Sequence, residues 1–119
     1  MPHYVDGFVI PMLKTSVPAY KRIATKAGKI WLEYGALQYV ECVGDDLVKN
    51  FGLPFPKLAK LRPGETVVFS WIVYKSKAHR DQVNKKVMAD PRLAKMGPEM
   101  MPFDVKKMSY GGFRTIVNL

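Results

Sequence analysis

Residues 66–75, TVVFSWIVYK, carry β-branched and aromatic side chains on both parities of an extended chain. Successive strand residues point to opposite faces of a sheet, so such a run needs cover on both sides. It reads as a central strand. Residues 4–13, YVDGFVIPML, repeat the pattern, apolar at almost every position. A chain with two such strands folds into a sheet in which both are interior. Its other segments must supply the edges and a covering layer.

Those segments are readable. Thr15 and Ser16 offer an N-cap, with Pro18 in the first turn. From there Tyr20, Ile23, Ala24, Ala27, Ile30, Trp31 and Tyr34 recur at three- and four-residue steps. That spacing is one apolar stripe on a long helix. Gly28 weakens this helix and Gly35 stops it. Residues 36–44 alternate Leu37, Tyr39, Glu41 and Val43 against Ala36, Gln38, Val40 and Cys42, a half-buried strand. Ser76 caps a second helix through Val83, Val87 and Met88, which Pro91 ends. A last strand is expected over 106–117, where Gly111-Gly112 marks a bulge or a close backbone approach on an edge strand.

The order is βαββαβ, the ferredoxin-like arrangement of the α+β class. Two helices lie on one face of a four-stranded antiparallel sheet, and the first and third strands are central. One domain is expected over 1–119. Two long connections interrupt it. Residues 45–65 hold Pro56 ahead of KLAKL, enough for one or two helical turns. Residues 91–105 set Met96, Met100, Met101 and Phe103 among prolines. Connections of this length are usually functional or locally folded.

Helices cover only one face of such a sheet. The other carries Tyr4, Phe8 and Ile10, or Val67, Phe69, Trp71 and Val73, according to strand phase. A contiguous apolar face is unusual on a monomer. The economical cover is a second copy, with two sheets pairing face to face in a dimeric α/β barrel, so a homodimer is expected. The 48% apolar content agrees with a demand beyond one covered face.

Nineteen Lys and Arg against ten Asp and Glu give a net charge of +9. That raises nucleic acid as a partner. An RNA-recognition sheet of this topology needs K/R-G-F/Y-G/A-F-V-x-F/Y on its third strand. Here the strand reads VVFSWIVYK, without glycine. The cations fall largely on helix faces and connections, so a solvating shell is the better reading and weak, nonspecific RNA binding the alternative. Cys42 is the single cysteine, which excludes an internal disulfide and suits a reducing compartment. The N-terminal MPHYVDGFVI lacks a signal-peptide pattern, and no apolar run approaches the ~20 residues of a membrane helix. A cytoplasmic protein without a membrane anchor is expected.

The segments YVDGFVIPM, YVECVGDD, PGETVVFSWIVYKSKAHRDQVNKKVMADPRL and KKMSYGGF resemble the YbaA-like family, a group of unknown function, over nearly the whole chain. The resemblance implies membership of the dimeric α/β-barrel superfamily, in agreement with the topology. It assigns no catalytic residue. That superfamily includes antibiotic-biosynthesis monooxygenases and haem-degrading enzymes, with pockets between sheet and helices. The haem-degrading members use an Asn on the first strand, a Trp on the third and a His on the second helix. Trp71 and His79 match two of these places, whereas Asp6 and Gly7 occupy the first strand.

The residues themselves suggest a pocket. Asp6, Glu41 and Arg114 are charged positions set among apolar strand residues. If Asp6, Glu41, Trp71, Tyr110 and Arg114 share a face, with His79 nearby, they form a polar cluster in an apolar cleft suited to a small apolar or aromatic ligand. A carboxylate there is either raised into a general base by burial or held ionised by Arg114. The competing readings are an interface ion pair or plain exposure on edge strands. A cofactor-free oxygenase-like enzyme and a non-enzymatic ligand-binding or stress-related protein both fit. No cofactor or metal is implied: Asp45-Asp46 reads as a turn, and Cys42 as an inert thiol.

Overall fold

The computed structural model describes residues 3–119. Strand β1 spans Tyr4–Leu13, helix α1 Val17–Glu33, strand β2 Gln38–Val43, and the short helix α2 Phe55–Leu58. Strand β3 follows at Glu65–Tyr74, helix α3 at Lys77–Met88, the short helix α4 at Pro91–Ala94, and strand β4 at Ser109–Arg114. The sheet order is β2-β3-β1-β4, antiparallel throughout. This is the ferredoxin-like arrangement, and the two strands apolar on both parities are its two central strands.

Register settles the strand phase. Tyr4 pairs with Tyr74, Phe8 with Ser70 and Ile10 with Val68 across β1 and β3. This parity, with Tyr39, Glu41 and Val43 of β2 and Tyr110 of β4, faces the helices. The opposite parity, here the open face, holds Val5, Val9, Val67, Phe69, Trp71 and Val73, with Val40, Cys42 and Phe113 from the edges. Of the two alternatives, the Val67–Val73 set is therefore the one turned away from α1 and α3.

The core has two parts. Ile30, Ala36, Ile72, Tyr74, Val83 and Val87 pack where α1 and α3 meet the sheet. Ile10, Met12, Tyr20, Ala24 and Val68 pack under the first half of α1. Phe8 touches both. Gly28, a weak point by helix propensity, is where α1 crosses Tyr39: a Cβ there would lie 2.6 Å from Tyr39 Cδ1. Close approach, not flexibility, is its use.

Several expected boundaries shift. Ser76 caps α3 as expected, its Oγ accepting from His79 N at 3.1 Å. Ser16, by contrast, makes no side-chain cap bond. Pro91 does not merely end a helix. Asp90 caps the following one by accepting from Arg92 N at 2.8 Å, and Pro91 fills the first turn of α4. β4 is shorter than the expected 106–117: 105–107 form a 3-10 turn, and the strand ends at Arg114. The Gly111-Gly112 pair keeps unbroken register with Gly7 and Asp6, so it is no bulge. It allows close approach instead, since a Cβ on Gly112 would strike the Tyr4 ring.

Both long connections fold back on the sheet. The 45–65 segment forms α2, and Phe55 packs against Phe69 of the open face at 6.2 Å between ring centroids. The 91–108 segment packs over the helix face, with Phe103 and Met108 against the Tyr20 cluster. Among the described residues no helix is long and apolar enough to cross a membrane.

Candidate functional site

Between the sheet, α1 and the 91–108 connection lies a cavity of about 590 Å³. Its floor is the pleat row running from Phe8 through Ser70 to Glu41, with Ile10 and Ile72 beside it. One wall is the α1 stripe, chiefly Tyr20, Ala24, Ala27 and Trp31. The outer wall is Leu93, Met96, Met101, Phe103 and Met108. Alanines at 24 and 27 create the space, because the helix presents no long side chain there. Methionines opposite give a wall that adapts to a guest. A mostly apolar cavity of this size with few polar groups matches small-molecule sites.

Glu41 is the one acidic group lining it. Its Oε1 accepts from the Tyr20 hydroxyl and its Oε2 from the Tyr39 hydroxyl, each at 2.8 Å. Burial, reinforced by the Glu41 charge and these hydrogen bonds, pushes both phenols far above their ordinary pKa. Both therefore stay protonated donors at neutral pH. Among the described residues Glu41 forms no ion pair. The two hydroxyls fix the carboxylate without neutralising it. Each carboxylate oxygen has a second lone pair, so Glu41 retains acceptor capacity for a guest that donates a hydrogen bond.

The sequence candidates separate. Asp6, Glu41, Tyr110 and Arg114 share the helix face, but they do not form one cluster. Asp6 is 1% exposed and pairs with Arg80 of α3, whose Nη1 donates to its Oδ1 at 2.7 Å. Arg114, offered by the sequence as one way to hold a carboxylate of the cluster ionised, instead sits exposed at the end of the edge strand β4. Arg80 takes the role because its long side chain reaches from the first turn of α3 to Asp6. Its guanidinium also lies 4.9 Å from the Tyr4 ring centroid and donates through Nε to Asp81 at 2.8 Å. Asp6 is thus a buried ion-pair member, apart from the cavity lining.

Trp71 departs from the expected cluster altogether. Its register, opposite Gly7 and Val40, turns the indole to the open face, where it lies 5.6 Å from Phe69 between ring centroids and 3.4 Å from Gln38 Oε1. The strand borders the cavity at Trp71 while the ring lies on the other side. Tyr110 stacks on Phe8 at 5.3 Å but is largely solvent-exposed. His79 Nδ1 accepts from Lys75 N at 3.0 Å, and its ring sits edge-on to Tyr74. Desolvation, with Lys75 and Lys86 nearby, holds its pKa below the ordinary value, so it is a neutral part of the α3 start. Trp71 and His79 do not face a common space.

Tyr20, Tyr39 and Trp31 are the site residues that sequence reasoning placed in the core or on a strand. Trp31 Nε1 and Tyr74 Oη both donate to Asn84 Oδ1, at 3.0 and 3.1 Å, and so tie α1, β3 and α3 together beside the cavity. The available signal was the Met- and Pro-rich 91–105 connection, too long to be a simple link.

Residues 3–105 match the family described as "Protein of unknown function (DUF1428)". The chain is 45% identical over 115 residues to the uncharacterized protein YbaA of Escherichia coli K12, covering 97% of each. It is equally similar to the YbaA protein of Shigella flexneri. The chain belongs to this YbaA-like family of unknown function. Its fold also resembles solved structures. A dimeric ferredoxin-like protein from an uncultured marine organism superposes with a TM-score of 0.60 at 10% identity, over 100% of both chains. An uncharacterized NIPSNAP domain protein from Burkholderia xenovorans does so with a TM-score of 0.53 at 18% identity, over 92% of this chain and 91% of that one. At these identities the likeness concerns the fold alone.

Proposed function

We propose that this YbaA-like protein binds a small apolar or aromatic molecule bearing a hydrogen-bond donor, and that it works as a homodimer. The observation that carries the ligand reading is the apolar cavity of about 590 Å³ with the unpaired Glu41 carboxylate fixed at its wall. An apolar body fills the space between the alanines and the methionines, and its donor meets Glu41. The dimer reading is supported by the open sheet face. Phe69 is 47% exposed and Phe113 61% exposed, and their neighbours Val5, Trp71 and Val73 carry no charge. An apolar patch of this kind suits an identical patch related by a twofold axis. The solved marine protein of the same fold is a dimeric ferredoxin-like protein. The unpaired Cys42 thiol fits a reducing, cytoplasmic setting.

The test uses N-phenyl-1-naphthylamine, a neutral apolar fluorophore with one N–H donor. Saturable enhancement at one probe per chain is expected. Ala27→Leu or Met101→Trp, which occupy the cavity, should each weaken it at least about tenfold, the loss of roughly 1.4 kcal/mol. Circular dichroism and melting confirm that the variants are folded. Non-saturable binding, or binding unchanged in both folded variants, overturns the ligand reading.

A further inference from the structure

A second recess, of about 570 Å³, opens at the far end of the open sheet face, away from the Glu41 cavity. Val9 and Pro11 of β1 form its floor, with Leu58 and Ala59 on one side and Ser109 on the other. Four cations line it: Lys60 and Arg62 from the connection after α2, and Lys106 and Lys107 from the 3-10 turn before β4. No acidic side chain lines it. The two acids adjacent in sequence are engaged with backbone. Glu65 Oε1 accepts from Arg62 N at 2.7 Å, and Asp104 Oδ1 accepts from Lys106 N at 3.0 Å. Among the described residues none of the four cations forms an ion pair.

Segments about forty residues apart in sequence thus bring four like charges to one concavity, and both are held by side-chain caps. Lys60 adds a second observation. It has φ +52, the one non-glycine residue in the left-handed region among those described. It occupies the position just past a helix end, with Leu61 N bonded back to Pro56 O, where glycine is the residue that fits without strain. A lysine there keeps a charge at the recess at the expense of backbone comfort, the pattern of strain stored at functional sites.

We propose that this recess is an anion site for a small organic phosphate, a phosphate ester with two or more negative charges on an apolar body. Four cations lining one recess call for a multiply charged group, which a single carboxylate does not supply. The aliphatic floor accepts the rest of the molecule. An extended nucleic-acid strand fits less well, because the charges border one recess and no aromatic side chain lines it for base stacking.

The experiment titrates the full chain with adenosine diphosphate, pyrophosphate, adenosine and a single-stranded RNA dodecamer, by calorimetry at low salt. Adenosine diphosphate should bind saturably and tighter than pyrophosphate, with adenosine weakest. Lys106→Gln combined with Lys107→Gln should weaken it at least about tenfold. Lys60→Gly removes a charge while relieving the backbone, so it should weaken binding severalfold with a melting temperature equal to or above that of the parent. Glu41→Gln should leave this binding unchanged, which separates it from the cavity. No saturable binding, or binding indifferent to both basic-site variants, overturns the proposal. So does RNA binding more tightly than adenosine diphosphate and lost in the same variants, which would make the patch a nucleic-acid surface.

Discussion

Asp6 shows how a single residue can be conspicuous in a sequence and still be misjudged in role. A carboxylate in an apolar central strand stands out, and its burial is the consequence. Its partner Arg80 lies 74 positions away, on the face of a helix that reads as solvated. Removing one member of a buried pair strands the other charge. Arg80→Ala should therefore destabilise the protein by about 3 kcal/mol in denaturant unfolding, because Asp6 cannot escape to water. Asp6→Asn should cost less, about 1 kcal/mol, because Arg80 retains Asp81 and reaches solvent. Equal losses, or the reverse order, would show that the pair is not the buried unit described here. Glu41, singled out in the sequence on the same ground, does line the cavity. It sits at an ordinary alternating position on an edge strand, and only the hydroxyls of Tyr20 and Tyr39 distinguish it.

At the scale of elements, helix α1 comes closest to the edge strand β2 at Gly28 and Tyr39. Ordinary propensity says that Gly28→Ala stabilises a helix by up to about 1 kcal/mol. At this position the new methyl would overlap the Tyr39 ring, which also carries a hydrogen bond to Glu41. Overpacking of that kind typically costs about 1–3 kcal/mol. Gly28→Ala should thus lower the melting temperature and weaken naphthylamine binding together. A raised melting temperature with intact binding would show that Tyr39 moves aside freely. The elements themselves were legible, since β1, β3 and the α1 stripe follow from periodicity and α2 from Pro56. The errors fell at 91–94 and 106–108, where capping by Asp90 and Asp104 replaces the regular pattern with short turns. Asp90 is held well below the usual carboxylate range by hydrogen bonds from Arg92 and Tyr34, so this corner is pinned at neutral pH.

For the whole molecule, the decisive feature is the division of the sheet into two unlike faces. The helix face encloses the Glu41 cavity. The open face is capped at one end by α2, bordered there by the cation-lined recess, and apolar around Phe69, Trp71 and Phe113. Light scattering at micromolar concentration should give twice the chain mass of 13.5 kDa. Phe69→Asp combined with Phe113→Asp should shift it to the single-chain mass with folded circular dichroism, since two charges cannot be buried against their symmetry copies. A single-chain mass for the parent protein would end the dimer proposal. The net charge of +9 also has a place at this scale. Much of it solvates helix faces, but Lys60, Arg62, Lys106 and Lys107 gather at one recess.

Sequence alone determined the topology, because alternation, helical spacing and the doubly apolar strands are local patterns that each element carries in its own residues. It also led to the expectation that α1 and α3 leave one sheet face uncovered. Which parity faces the helices, which cation neutralises Asp6, and which tyrosines hold Glu41 were decided only by tertiary structure. Those outcomes depend on strand register and on helices crossing particular residues. A one-residue slip of register would move every side chain of a strand to the other face while leaving its periodicity unchanged.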